Sequence, residues 1–197
     1  MKKSFLKNSK IKYPAFEPWI SNNDKKNVVK AMNQDMLTLG PQLEKFENQF
    51  AKYTSSKYAI AVSNCTAALH LSLKAVGIQK DDQVIIPNLT FVADANAILA
   101  CNAKPIIVDI NKKDFFLSIS NLKKNITKKT KAIIPVHIYG QVCNIGEILD
   151  VAKDNNLKII EDCAHAVGTF NHLKHVGTFG ETGCFSFYPT KNMTTAE

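Results

Sequence analysis

The sequence predicts an α/β protein built on a mostly parallel sheet with helices on both faces. Three observations carry this. Short runs rich in Ile and Val recur along the chain, as in Gln83–Ile86, Ala132–Val136 and Lys158–Ile160. These runs are apolar throughout rather than alternating, as strands covered on both faces must be. Segments of helical period separate them, which is the order that builds crossover connections.

Taken in order, two helices come first, about Asn23–Asn33 and Pro41–Tyr53. Pro41 after Gly40 suits a first helical position, where the missing N–H is not needed. The expected strands are Tyr58–Val62, Gln83–Ile86, Pro105–Ile110, Ala132–Val136, Lys158–Ile160 and Cys184–Phe187. Helices are expected near Thr66–Val76, Phe91–Ala100 and Ile145–Asn155, with a short one from Cys163. Gly77 supplies the stop after Val76. Residues 112–131, rich in lysine and asparagine, read as a solvated connection.

Composition bounds the function. The 197 residues are 45% hydrophobic and 21% charged, enough for one ordinary domain with a real core. Residues 1–12 form a basic N-terminal tail, and residues 13–197 the domain. No apolar run approaches the roughly 20 residues of a membrane helix, and no apolar stretch follows the basic N-terminus as in a signal peptide. The expectation is a cytoplasmic protein without a membrane partner. All 25 basic residues are lysine, so no guanidinium clamps a carboxylate or phosphate. Five of those lysines lie in the tail, and no aromatic residues interleave with a basic stripe, which argues against a nucleic-acid module. Cys65, Cys101, Cys143, Cys163 and Cys184 are widely spaced without a C-x-x-C pair. They read as reduced, buried thiols, not metal ligands.

In a parallel sheet the ligand lies at the carboxyl ends of the strands. Five such ends carry suggestive residues. Ser63-Asn64-Cys65-Thr66-Ala67 opens a helix whose N–H groups suit a phosphate. Phe91, after Pro87, offers a ring for stacking, and His137 follows Pro135-Val136. Glu161 and Asp162 end the next strand, where two acids cost free energy unless something meets their charge. Lys191 follows the aromatic run Phe185-Ser186-Phe187-Tyr188 and could serve as a Schiff-base lysine. Singly, each has a plain structural reading as cap, core residue or solvated lysine. Together, an aromatic stacker, a phosphate cradle, an acid and a later lysine fit pyridoxal phosphate (PLP).

On Gly40-Pro41 with Phe46-Glu47, Ser63 to His70, Thr90-Phe91-Val92-Ala93, Val136 to Gln141, Ile160 to Ala164 and Phe185-Ser186-Phe187 before Lys191, the chain resembles the DegT/DnrJ/EryC1/StrS family. These are PLP-dependent sugar aminotransferases of the aspartate-aminotransferase (type I) fold, and the resemblance is greatest to perosamine synthase-like members. It implies that Lys191 holds PLP and shuttles a proton, that Asp162 pairs with the pyridine nitrogen and that Phe91 stacks on the ring. It implies phosphate binding by Thr66, Ala67 and Ser186, and a position for His165 near the cofactor's phenolic oxygen.

The substrates it implies are glutamate and a nucleotide-linked keto-6-deoxy sugar, in the assembly of amino sugars for O-antigen or another surface polysaccharide, with a homodimer as the working form. Two departures stand out. Cys65 occupies a position where many relatives have glycine, a cost if the turn needs positive φ. The family also continues past Glu197 into a C-terminal domain, so the domain is expected to be an incomplete large domain. The alternatives are a catalytically dead remnant or binding partner and, within the family, a dehydratase using the pyridoxamine form. Retained Lys191 speaks against the dehydratase.

Overall fold

The computed structural model describes residues 18–195. The basic tail expected over residues 1–12, and the start of the domain at 13, lie outside the described residues.

Two helices open the described chain. In α1 (Asn22–Met32) Ser21 and Asp24 cap each other reciprocally, closing two N–H groups that the first turn would otherwise leave open. In α2 (Pro41–Thr54) the proline stands at the start as expected, and Ser55 ends the helix in the left-handed region at φ 59°. Then follow α3 (Cys65–Ala75), β1 (Gln83–Pro87), α4 (Ala93–Ala100), β2 (Lys104–Val108), α5 (Ile119–Asn125), β3 (Thr130–Ile133), α6 (Ile145–Asp154) and β4 (Lys158–Asp162). The chain finishes with a small hairpin, β5 (Phe170–Asn171) and β6 (Lys174–His175), and a last strand β7 (Thr182–Cys184).

The main sheet runs β2-β1-β3-β4-β7, and every pairing in it is parallel. Successive residues of each strand enter different cores. Val84, Ile86, Ala132, Ile134 and Ile160 pack with Leu69, Leu73, Ala97 and Ile98 of α3 and α4. Ile85, Ile133 and Ile159 pack with Leu122 of α5 and Ile148 and Val151 of α6. This two-sided burial is why the strands are apolar at every position. Truncating a fully buried Ile such as Ile85 to Ala costs about 2–5 kcal/mol. The chain steps outward from β1 to β2 and then returns to β3 on the other side, so the strand order reverses between β1 and β3. That reversal opens a crevice at the carboxyl ends.

Four expectations are corrected. Tyr58–Val62 is not a strand: among the described residues no strand pairs with it, and Tyr58 and Ile60 are 72% and 80% exposed. A β-strand needs a neighbouring backbone, and this segment is held instead by the Ala61 N–H donating to Glu47 Oε1 at 2.7 Å. The last strand ends at Cys184, not Phe187, because its partner β4 ends at Asp162, opposite Cys184. No helix starts at Cys163; turns follow, and Gly168 at φ +84° leads into the β5–β6 hairpin. Within 112–131 lies α5, capped by the Ser118 side chain accepting from the Asn121 N–H and anchored by fully buried Leu122.

Candidate active site

The site stands where β1, β3, β4 and β7 end, and begins with two adjacent acids. The strand places Glu161 and Asp162 on opposite faces of the sheet. Glu161 is fully buried, and Oε2 meets Nε2 of fully buried His137 at 2.9 Å. The backbone N–H groups of Gly177, Phe179 and Gly180 also donate to Glu161, at 2.7–2.8 Å. The Cys143 N–H donates to His137 Nδ1, so the ring proton sits on Nε2 and points at Glu161. Burial alone would raise the Glu161 carboxyl; the His137 hydrogen bond and the backbone donors overcome it, and the carboxyl lies below its usual range. His137, Glu161 and Cys163 bring ligand-type atoms within 4.8 Å of one another. With four donors on Glu161, the grouping is a structural clasp.

Asp162 is treated differently. Its Oδ1 accepts from the Ala164 N–H at 2.8 Å. No hydrogen-bond donor among the described residues reaches Oδ2. Burial raises this carboxyl; the Ala164 N–H and the Lys191 ammonium pull against it. An open, buried carboxylate oxygen of this kind is a receptor for a cationic N–H.

Lys191 lies in the loop after β7. Its own N–H donates to the Tyr188 carbonyl at 2.9 Å, and Asn192 Nδ2 donates to the Val167 carbonyl at 2.6 Å. The loop is backed by an aromatic cluster in which Phe46 and Phe50 of α2 meet Phe187 and Phe185 edge-on, at centroid distances of 5.0–5.5 Å. Lys191 also helps burial push His165 below its usual range, though burial is the larger cause. His165 stacks on Tyr139 at 5.7 Å with an 8° interplanar angle. The Tyr139 N–H donates to His165 Nδ1 at 3.4 Å. That hydrogen bond leaves Nε2 to carry the proton. Tyr139 itself sits at φ 53°, a strained conformation of the type that gathers at functional sites.

Phe91 follows β1 and is 73% exposed, so its ring is open to a planar partner. Its backbone is fixed from below: Thr90 Oγ1 donates to Asp94 Oδ2 at 2.5 Å, and the Asp94 N–H donates to the Phe91 carbonyl at 3.2 Å. Thr66 and Ala67 lie in the first turn of α3, as expected. The Ala67 N–H, however, already donates to the Asn64 cap at 2.9 Å. An anion there must displace that side chain. Cys65 is helical rather than left-handed, so the cost expected from replacing a glycine does not arise. Ser186 is buried after β7, and its Oγ accepts from the Tyr188 N–H at 3.4 Å.

Asp162, Lys191 and His165 thus form one electrostatic group, with Phe91, Thr66 and Ser186 at neighbouring strand ends and helix starts. The residue missed from the sequence is Asp94. It is fully buried, its Oδ1 has no partner, and it interacts with Asp162. Its sequence signal is a lone acid in the largely apolar helix Ala93–Ala100.

Comparison with known proteins decides the family. The DegT/DnrJ/EryC1/StrS aminotransferase family matches residues 18–197. The chain belongs to that family. Among DegT/DnrJ/EryC1/StrS relatives, GDP-perosamine synthase of Escherichia coli O157:H7 is 43% identical over 95% of this chain and 52% of its own length. The aminotransferase of Psychrobacter cryohalolentis superposes with a TM-score of 0.87 at 34% identity, over 92% of this chain and 47% of that one. Spr1654 of Streptococcus pneumoniae in its PLP form superposes at 0.89 and 31% identity, over 94% of this chain and 51% of that one. The chain spans about half the length of the curated relatives it matches.

Proposed function

We propose that the chain carries the cofactor-binding portion of a PLP-dependent sugar aminotransferase. The observation that supports this most is the open oxygen of buried Asp162 with the Lys191 ammonium acting on the same carboxyl. A pyridine nitrogen that must stay protonated needs such a carboxylate. The donor set fits the group.

When bound, PLP supplies an electron sink for carbanion chemistry at an amine-bearing carbon. The chain's own residues do the rest. Asp162 Oδ2 holds the proton on the pyridine nitrogen. Lys191 Nζ is the covalent attachment point and, once released, carries the proton between donor carbon and cofactor. Phe91 covers one face of the ring and fixes its plane. His165 Nε2–H donates toward the phenolic oxygen, its ring held by Tyr139. The first turn of α3 and Ser186 take the phosphate, with the Asn64 side chain giving way at Ala67.

Glutamate as amino donor and a nucleotide-linked 4-keto-6-deoxy sugar as acceptor belong to the same reading. The similarity to the GDP-perosamine synthases of three bacteria supports it. A place in O-antigen or another surface polysaccharide, a homodimer, a cytoplasmic location and a large domain over 13–197 complete the proposal. No helix of the described residues is long and apolar enough to cross a membrane.

The test is reconstitution with PLP, borohydride reduction and mapping of the label. Label confined to Lys191 is the expected result. Label spread over many of the 25 lysines, or none, would overturn the assignment.

A further inference from the structure

Asp94 is a fully buried acid with one oxygen, Oδ1, that meets no hydrogen-bond partner among the described residues. A buried carboxylate left this way would be costly, and its surroundings offer its charge little support. Among the described residues Thr90 Oγ1 is its single side-chain donor, at 2.5 Å from Oδ2. The titratable groups facing it are Asp162 at the end of β4, Cys65 at the start of α3 and Cys184 at the end of β7. None is a cation. Asp162, by contrast, has the Ala164 N–H and Lys191. Two buried carboxyls that feel each other's charge do not both ionise at neutral pH, and the one with the better donors keeps the charge.

We propose that Asp94 is a positioning residue for the pyridine-nitrogen site, a protonated carboxyl beside ionised Asp162, so that the pair carries a single negative charge. This rests on the reading of Asp162 given above. Burial first, and the Asp162 charge second, raise the Asp94 carboxyl to about 8, in keeping with the geometry. The consequence is that Asp162 faces the cofactor nitrogen alone at neutral pH. Above pH 8 a second charge appears behind it and strengthens its hold on the nitrogen's proton. Thr90 and Asp94 also hold the backbone of Phe91, so the ring and the charge beneath it share one support.

The test is a titration of the cofactor-free chain, labelled with ¹³C at the aspartate carboxyls, from pH 4 to 10. Asp94→Asn and Asp162→Asn assign the two signals. The expected result is an Asp94 signal that stays protonated through pH 7 and titrates near 8, moving down by at least one pH unit in Asp162→Asn. An Asp94 carboxylate already ionised at pH 6, or a midpoint indifferent to Asp162→Asn, would sink the proposal. Should Asp162→Asn fail to fold, the wild-type titration decides alone. A second readout is the absorbance of the PLP-loaded chain, where a step near pH 8 is expected in wild type and absent in Asp94→Asn. Persistence of the step in that variant overturns the positioning role. The expected titration without any PLP capture overturns the site reading and the positioning role with it, and leaves only the single-charge pair.

Discussion

Glu161 and Asp162 are neighbours in sequence, both buried, at the same strand end, yet the fold treats them in opposite ways. Glu161 faces His137 and the backbone of residues 177–180, and four donors converge on it. Asp162 faces the crevice with one backbone donor and one open oxygen. Nothing in residue type distinguishes them; satisfaction does. A buried charge with every lone pair met is a fastener, and one left partly unmet is poised for a ligand.

Substitutions separate the two roles. Glu161→Ala leaves His137 and three backbone N–H groups without their acceptor and is expected to destabilise by about 3–5 kcal/mol. Urea unfolding measures this, and a loss under 1 kcal/mol would break the comparison. Gly183→Ala tests whether the segment that Glu161 grips can yield. A Cβ there would lie 2.4 Å from backbone atoms of Gly177, so a loss of about 1–3 kcal/mol is expected in the same experiment.

The pH profiles should also oppose each other. Glu161 is shifted down, so its stabilisation is present above its unfolded value and is lost as pH falls through the lower folded value. Asp94 is shifted up to about 8, so folding loses stability as pH rises from about 4 to about 8 and levels off above. Asp94→Asn is therefore expected to raise the unfolding free energy, by an amount growing across that window and on the order of 1–3 kcal/mol at its end. A gain independent of pH would contradict it. The smallest effect on stability is expected from Asp162→Asn, within about 1 kcal/mol of wild type. Its effect is functional: PLP capture at Lys191, read by borohydride trapping, is lost while the Tm stays.

The central sheet was legible because Val84, Ile85 and Ile86, like Ile133 and Ile159, are buried on whichever face they meet. A short apolar run without alternation fits a strand covered on both sides, and its brevity, its Ile and Val and its bounding turn residues set it apart from a buried helix. Tyr58–Val62 shows the limit of that reasoning: Tyr58, Ile60 and Val62 have strand propensity, but pairing is a property of two segments and not of one. The chemistry of Asp162, Lys191 and Phe91 could be read from their places at strand ends. The partner of Asn64 could not, because a cap competing for the Ala67 N–H depends on a single side-chain rotamer. Asp94 is not legible as a site residue in the sequence, because an acid in the first turn of a helix ordinarily serves the helix dipole. Only its burial, with Oδ1 unpartnered, shows that it does something else.

The Glu161 clasp has a further consequence, in the timing of exchange with solvent. The amide protons of Gly177, Phe179 and Gly180 all end on one carboxylate anchored in β4. They lie in a connecting segment, where amides ordinarily exchange within local fluctuations. Here all three share one buried acceptor, which His137 holds in place. In deuterated water the three should therefore lose protection together, at the rate of the central strands.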